Sequence, residues 1–318
     1  MTTLFANGKI LDSLTLWDLG NIITGETPQL GLPKFQRDAV WDVERVELLW
    51  DSILRGFPFG AFIVTGAREQ IKPFSISKWD QSDRYINKDM IDKSKIQFVL
   101  LDGQQRANAI ALGFKRTENT WLWIDLGSSK PPNGCNFTLF TCTRAQPWGS
   151  RASKQQIYEM RDKLFSAKKE SVRRADFTLL LSETWPAAAK LPLPMDIFIT
   201  WCKSGEPIRD LQCEIRNAVS TVDEIIGIAE KIPEYEKDIQ YLKDVVLNAL
   251  KYEVPFILVP DVNADDRDMG VLFTRLNKQG MQMSGEDIFF SSLKVEFPDA
   301  HDLVWDIYSD KTVGKILP

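Results

Sequence analysis

A turn between a predicted strand and a predicted helix carries the residues best suited to chemistry. The largely apolar segment 96–101 predicts a buried strand, Asp102-Gly103-Gln104-Gln105-Arg106 follow it, and apolar residues at helical spacing come next. Such a turn presents backbone N–H groups and the positive end of the helix dipole, and both favour an anion. The segment therefore predicts a phosphate-binding turn.

The residue types in this turn suggest how phosphate would be handled. Asp102 could hold Mg²⁺ or another divalent cation between phosphates, since hard cations prefer carboxylate oxygens. Arg106 could neutralise phosphate charge, and Gln104 or Gln105 could orient an attacking water. The alternative is that Asp102 caps the helix and Gly103 only makes the turn. No Walker A pattern occurs in the chain.

Two further polar pairs could contribute to the same cleft. Gln36 and Arg37 follow an extended segment at Pro33 and precede a predicted helix, so both side chains could point into a cleft. Phe273 and Asn277 stand at i and i+4 and share a helix face, where a ring and an amide could hold a base. An ordinary surface pair and a core phenylalanine with a helix-capping asparagine are the alternatives.

Charge and length limit the kinds of partner. The chain has 318 residues, which predicts about two domains. Its net charge of −5 does not attract DNA, so any DNA contact needs a local patch. The candidate is 151–174, with eight Lys/Arg against three Asp/Glu, and Arg173 and Arg174 near its end would contact the DNA backbone. A solvated helix face is the alternative.

Histidine and cysteine usage excludes several enzyme classes. The single histidine, His301, does not suffice for chymotrypsin-like triads, HExxH zinc sites or HNH nucleases. Four cysteines without a C-x-x-C pair predict reduced thiols, most of them packing residues, rather than a zinc site. No apolar run approaches the roughly 20 residues that span a bilayer, and no secretory signal is visible. We expect a cytoplasmic protein without a membrane partner.

The elements that must position these residues follow from apolar spacing and from breakers. Strands are predicted at 61–65, 96–101, 121–126 and 137–143, with a helix from Asp42 to Gly56. A Pro/Ala-rich linker or loop is predicted at 183–195, and helices broken near Pro233 at 206–251. A short buried strand is predicted at 254–260, where prolines should confine it to a sheet edge or to strand ends.

Together the three motifs resemble the N-terminal domain of the GmrSD-type restriction endonucleases and of their phosphorothioate-sensing Ssp-type relatives. In that family a Q-R step precedes a helix, a strand ends in D-G-Q-Q-R, and an F-x-x-x-N helix follows a long insertion. Here Gln36-Arg37, Asp102 to Arg106, and Phe273 with Asn277 match in that order. The resemblance covers roughly residues 14–295.

The resemblance implies an α+β fold with a ParB/sulfiredoxin-like, mixed-sheet nucleotide-binding core. Residues 1–149 would form this core, and residues 253–295 would complete it with a strand and the F-x-x-x-N helix. Residues 150–252 would be a mainly helical insertion. Residues 296–318 would begin a C-terminal helical region that the chain cuts short.

The resemblance also implies nucleoside triphosphate (NTP) binding and hydrolysis in prokaryotic anti-phage defence against foreign or modified DNA. Asp102, Gln104, Gln105 and Arg106 would be catalytic, and the nucleotide would be bound by Gln36, Arg37, Gly103, Phe273 and Asn277. The family's HNH-type nuclease domain lies C-terminal to this module. We therefore expect no DNA cleavage from this chain, and a nuclease domain in cis or in trans.

Two other functions stay open at this point. A module that binds a nucleotide or a modified DNA group without turnover would use the same residues and regulate a separate nuclease. A defence scaffold whose pocket has decayed would use none of them. Assembly into a homo-oligomer is compatible with each function.

Overall fold

The computed structural model shows a mixture of strands and helices, as predicted for the α+β class. It describes residues 5–6, 9–10, 13–25, 29–32, 41–66, 96–117, 120–127, 137–143, 146–167, 185–259 and 275. The strands are β1 (Phe5–Ala6), β2 (Lys9–Ile10), β3 (Ser13–Thr15), β4 (Leu30–Gly31), β5 (Phe62–Gly66), β6 (Phe98–Asp102), β7 (Thr120–Asp125), β8 (Leu139–Thr143), β9 (Pro192–Pro194) and β10 (Glu253–Leu258). The helices are α1 (Leu16–Thr24), α2 (Val43–Leu54), α3 (Gln104–Phe114), α4 (Lys154–Ala167), α5 (Met195–Ser204), α6 (Ile208–Ala218), α7 (Ser220–Ile226), α8 (Ile228–Lys231), a 3-10 helix (Ile232–Tyr235) and α9 (Glu236–Ala249).

The larger sheet is mixed and has the strand order β3-β10-β5-β6-β4. β10 is parallel to β5 and β4 is parallel to β6, whereas the pairs β3–β10 and β5–β6 are antiparallel. The strand predicted at 96–101 is β6, which lies inside this sheet and is buried from Phe98 to Leu101. The mixed sheet is as predicted, and its relation to ParB or sulfiredoxin stays a prediction.

The prolines of β10 were predicted to confine it to a sheet edge or to strand ends, and the edge placement is wrong because β10 lies between β3 and β5. Residues 253–255 pair with β3, and residues 256–258 pair with β5. Pro255 stands where the pairing changes sides, so its missing N–H falls at the junction of two short ladders. Only Val254 and Phe256 are buried, because alternate residues of this strand face opposite sides.

The smaller sheet has the antiparallel order β8-β7-β9, and it corrects part of the linker or loop predicted at 183–195. Residues 192–194 are a strand, whereas residues 185–191 lie outside any helix or strand, as a loop would. β9 pairs with the end of β7, and Trp185, Leu191 and Leu193 are fully buried. A proline-rich strand is tolerated there because β9 is at the edge of this sheet. β9 comes from the predicted insertion and β7 from the predicted core, so these segments share a sheet. The division into four segments stays a prediction.

The helices α2 and α3 are fixed to each other by Trp50. Asp42 caps α2 by accepting a hydrogen bond from Arg45 N at 2.9 Å, which confirms the predicted helix start. The indole of Trp50 donates to the carbonyl oxygen of Ala109 on α3 at 2.7 Å, and its ring contacts Phe114 at a centroid distance of 6.2 Å. These contacts hold the middle and the end of α3 against α2.

The described cysteines are free thiols, and two of the three have the predicted packing role. Cys142 and Cys202 are buried and Cys213 is exposed. Burial raises the pKa of the Cys202 thiol to about 12, so it stays protonated and unreactive at neutral pH. Cys135 lies outside the described residues.

Candidate nucleotide site

The turn between β6 and α3 is built around a glycine in the left-handed conformation. Asp102 is the last residue of β6, Gly103 has a φ of +99°, and Gln104 begins α3. A residue with a Cβ is strained at this φ, so glycine suits the position. Gly103 is the N-cap, and no side chain caps α3. The alternative in which Asp102 caps this helix is therefore wrong.

Asp102 is instead paired with Arg106 across the turn. Nη2 of Arg106 donates to Oδ2 of Asp102 at 3.0 Å, and Nη1 of Arg106 donates to the carbonyl oxygen of Phe59 at 3.0 Å. The Asp102 side chain is 37% exposed and the Arg106 side chain only 18%. The carboxylate therefore faces solvent while the guanidinium forms the inner part of the pair.

Burial and charge act in opposite directions on Arg106. Burial lowers the pKa of its guanidinium below the ordinary value, and the Asp102 carboxylate opposes this by raising it. An arginine side chain remains a cation in either case. The turn thus keeps one fixed positive charge beside one half-exposed carboxylate, which suits a phosphate that arrives with a divalent cation.

A break in strand pairing lies immediately before Asp102. Asp102 is opposite Ile63 on β5, but the next pair is Leu100 with Val64, so Leu101 is the extra residue. Such a bulge bends its strand and changes the direction of the neighbouring side chain. Bulges are frequent beside active sites, and this one acts on the carboxylate that the sequence singles out.

The two glutamines of the turn have different surroundings. Gln104 is buried, with 7% of its surface exposed. Gln105 is half-buried, and its Oε1 accepts a hydrogen bond from Trp41 N at 3.3 Å. This bond joins the turn to the residue just before the α2 cap. Gln105 is thus closer to solvent than Gln104, and its carbonyl oxygen already serves a backbone group.

The other predicted walls of the pocket lie outside the described residues. These are Gln36, Arg37, Phe273 and Asn277, and the predicted DNA contacts Arg173 and Arg174 lie outside as well. Trp41 is the described residue that follows the Gln36-Arg37 segment, and it contacts Gln105. Arg275 is helical and exposed. The structure therefore brings together Asp102, Gly103, Gln104, Gln105 and Arg106, and the three-walled pocket stays a prediction.

The fit of a divalent cation depends on what else coordinates it. Among the described residues, no three His, Cys, Asp or Glu side chains are grouped as metal ligands would be. A cation held by protein alone is therefore unsupported in this part of the chain. Mg²⁺ commonly keeps several waters and needs only one or two carboxylates when phosphates complete its shell. The half-exposed Asp102 fits that second kind of site.

The described part of the basic segment 151–174 presents fewer unpaired positive charges than its sequence suggests. Arg151 pairs with the buried Glu47 of α2, and its guanidinium carbon lies 5.2 Å from the ring centroid of Phe140. On α4 the exposed cations Lys154, Arg161 and Lys163 alternate with Glu159 and Asp162. One of the four described cations is thus neutralised internally.

Glu47 and Phe59 are residues that the sequence analysis missed. Glu47 looks like an ordinary polar position of an amphipathic helix, yet it is 3% exposed and burial raises its pKa to about 7. Phe59 contributes a backbone carbonyl, which no side-chain pattern can signal. The phenylalanines around Pro58 mark only a turn.

The helices that the structure describes include none that is long and apolar enough to cross a membrane. A comparison with curated proteins found no match. The D-G-Q-Q-R turn at the start of α3 lies within the residues that a family model of restriction-system proteins matches. The model is that of the GmrSD restriction endonuclease N-terminal domain, and it matches residues 19–294. The chain belongs to this family and is a component of an anti-phage restriction system that acts on DNA.

Proposed function

We propose that this chain binds and hydrolyses a nucleoside triphosphate and thereby regulates restriction of modified or foreign DNA. The nuclease domain would act in cis or in trans, and the chain itself would not cut DNA. The observation that carries the proposal is the charge pair at the start of α3. Asp102 and Arg106 flank a glycine turn at the positive end of that helix, in a family of restriction proteins.

Each residue of the turn has a part in this proposal. The backbone from Gly103 onward and the Arg106 cation hold the phosphates, because a helix start and a guanidinium both favour oxyanions. Asp102 holds a divalent cation, which would neutralise charge on the leaving phosphates when bound. Gln105, the more accessible glutamine, orients the attacking water, and Gln104 supports the turn from the buried side. Gln36, Arg37, Phe273 and Asn277 would close the pocket around sugar and base.

Phosphate release by the purified chain tests this function. Release is measured with each common NTP, with Mg²⁺ and with EDTA, for the wild type and for Asp102→Ala and Arg106→Ala. Asp238→Ala and Arg209→Ala are matched controls, because both are exposed helix residues away from the turn. We expect loss of release in the first pair, about 100-fold or more, and wild-type rates in the controls. Equal rates in all five proteins would refute the proposal.

A binding module without turnover is the second candidate. It is favoured by the contacts that already occupy the turn: Arg106 donates to Asp102 and Phe59, and Gln105 accepts from Trp41. Groups held in this way suit the wall of a sensor pocket. Nucleotide binding that depends on Asp102, without any phosphate release, would support this function over hydrolysis. Titration calorimetry that shows no affinity for any NTP would favour the decayed scaffold.

DNA contact by the module is tested separately. Gel shifts on modified and unmodified duplexes across a salt series report how many phosphates are contacted. Neutralising Arg173 and Arg174 should flatten the salt slope if these residues touch the backbone. An unchanged slope would remove them from the interface, and no shift on either duplex would leave DNA recognition to the partner.

A further inference from the structure

The turn at residues 57–60, Phe57-Pro58-Phe59-Gly60, contacts the candidate site although it lies more than 40 residues before it in sequence. The carbonyl oxygen of Phe59 accepts a hydrogen bond from Nη1 of Arg106 at 3.0 Å. The other terminal nitrogen, Nη2, donates to Oδ2 of Asp102 at 3.0 Å. The guanidinium thus bridges a fixed backbone oxygen and the carboxylate of the site.

Gly60 provides the space that this bridge needs. Its φ is +94°, and a Cβ built there would overlap Nη1 of Arg106. Any larger residue would therefore push the guanidinium away from Phe59 and from Asp102.

Phe62 is a further residue that contacts the guanidinium of Arg106. Its ring is fully buried, and the guanidinium carbon of Arg106 lies 5.2 Å from its centroid. The same ring lies against the glycine of the motif, since a Cβ on Gly103 would come 2.6 Å from Cδ1 of Phe62. A cation above an aromatic face is held by the ring's charge distribution. One segment, 59–62, thus contacts Arg106 from two directions.

We propose that Phe59, Gly60 and Phe62 are positioning residues of the nucleotide site, which hold Arg106 so that its guanidinium orients the Asp102 carboxylate toward the cation of a Mg²⁺–nucleotide. The inference rests on the proposed function and adds a segment to it. It also gives Arg106 a second task, because two of its N–H groups serve the protein before any phosphate arrives. Carboxylates that bind metals are commonly oriented by such outer hydrogen bonds.

Gly60→Ala is the decisive variant. The atoms within 4 Å of its added methyl group belong to Arg106, so any effect on Asp102 has to pass through Arg106. Gly205→Ala is the matched control: Gly205 has a φ of +74°, and a Cβ there would meet nothing within 4 Å. It therefore reproduces the backbone strain without the collision. Phe62→Leu is a second test that removes the ring without straining the turn, in case Gly60→Ala fails to fold.

Binding of a fluorescent ATP analogue is titrated at increasing Mg²⁺ and in EDTA, in the wild-type and Arg106→Ala backgrounds. We expect Gly60→Ala to weaken Mg²⁺-dependent binding about tenfold in the wild-type background, which corresponds to about 1.4 kcal/mol. Binding in EDTA should weaken by a smaller factor, because Asp102 acts only through the cation, whereas the contact of Arg106 with phosphate needs no cation. In the Arg106→Ala background, Gly60→Ala should weaken Mg²⁺-dependent binding by less than a further factor of about two. Gly205→Ala should bind like the wild type, and Phe62→Leu should follow Gly60→Ala.

Several outcomes would overturn the inference. Equal effects of Gly60→Ala in both backgrounds would show that the methyl group does not act through Arg106. Equal losses with Mg²⁺ and in EDTA would show that the methyl group does not act through the cation at Asp102. An equal loss in Gly205→Ala would show that backbone strain alone is the cause.

Arginine side-chain ¹H–¹⁵N spectra without nucleotide give an independent signature. The Nη signals of Arg106 are assigned by their loss in Arg106→Ala. In the wild type the two hydrogen bonds should slow rotation of the guanidinium, so that separate Nη signals are seen, and in Gly60→Ala faster rotation should average them. Unchanged signals would contradict the proposed contact. A wild type that binds no nucleotide but shows the slowed Arg106 signals would refute the proposed function. A wild type that binds nucleotide, with Gly60→Ala unaffected, would refute the inference alone.

Discussion

Glu47 on α2 accepts a hydrogen bond from the backbone N–H of Thr141 on β8 at 2.7 Å, so a buried carboxylate covers the edge of the smaller sheet. Asp51, one helical turn later, accepts from Phe137 N at 2.9 Å, two residues before β8 begins. Residues i and i+4 share a helix face, which lets one helix supply both acceptors. An open strand edge would otherwise present unpaired N–H groups.

The ionisation of Glu47 should make stability depend on pH. Burial raises its pKa from the ordinary value of 4.5 to about 7, against the opposing effects of Arg151 and the Thr141 N–H, and Glu44 adds to the rise. The native state therefore keeps a proton that the unfolded state releases between these values. The stabilisation is complete below about pH 4.5 and is lost as pH rises through about 7.

We expect the unfolding free energy of the wild type to fall by on the order of 3 kcal/mol from this group across that window. Urea unfolding of the wild type and Glu47→Gln at about pH 5 and about pH 8 measures it. Gln cannot ionise, so the unfolding free energy of the wild type should fall relative to that of Glu47→Gln as the pH rises. A constant difference would contradict the raised pKa.

Arg151 should behave differently from the exposed cations of α4 in DNA binding. Its charge is paired with Glu47, whereas Lys154, Arg161 and Lys163 face solvent. If α4 contacts DNA, replacing these three by Gln should reduce the salt slope of binding by about one unit per lost phosphate contact. Arg151→Gln should lower the melting temperature and leave the slope unchanged. A slope reduced by Arg151→Gln in the folded protein would place this residue at the interface instead.

Gln105 should contribute to stability through its contact with Trp41 N at 3.3 Å. Gln105→Ala removes the acceptor, and we expect a loss of about 1 kcal/mol in unfolding free energy. Gln105→Glu keeps an acceptor at that position and should recover most of the loss. Denaturant unfolding of the three proteins checks this. If Gln105→Glu and Gln105→Ala destabilise equally, loss of the hydrogen bond from Trp41 N does not explain the effect, and the side-chain amide nitrogen of Gln105 is responsible instead.

Asp125 should be one of the larger single contributors to the smaller sheet. Its carboxylate accepts from Gly127 N at 3.1 Å, Lys190 N at 3.2 Å and Leu191 N at 2.7 Å, and it is 3% exposed. Asp125→Ala leaves the buried N–H of Leu191 and the partly buried N–H groups of Gly127 and Lys190 without this acceptor, so we expect a loss of about 3 kcal/mol or more. Asp125→Asn keeps one oxygen and should lose less. The exposed Asp238→Ala is the control, and an equally small effect of all three would contradict the assignment.

Local patterns determined the elements around the site. Asp42 followed by apolar residues at helical spacing placed α2 correctly, because a capping carboxylate and a buried face are properties of neighbouring residues. The apolar run before Asp102 placed β6, and the D-G step placed the turn to α3. Residues 185–194 show the limit of such patterns. Their prolines suggested a linker, but the edge of β7 and the carboxylate of Asp125 make part of the segment a strand.

The sequence by itself determined the family, the α+β class and the segment that carries the candidate chemistry, since these depend on residue types at fixed spacing. Only the tertiary structure decided what each side chain contacts. It directed Arg106 to the carbonyl oxygen of Phe59, Gln105 to Trp41 N, and Glu47 to the edge of β8. The physical reason is that these acceptors and donors are backbone groups, which every residue carries. Their availability depends on which strands and helices the fold leaves unpaired.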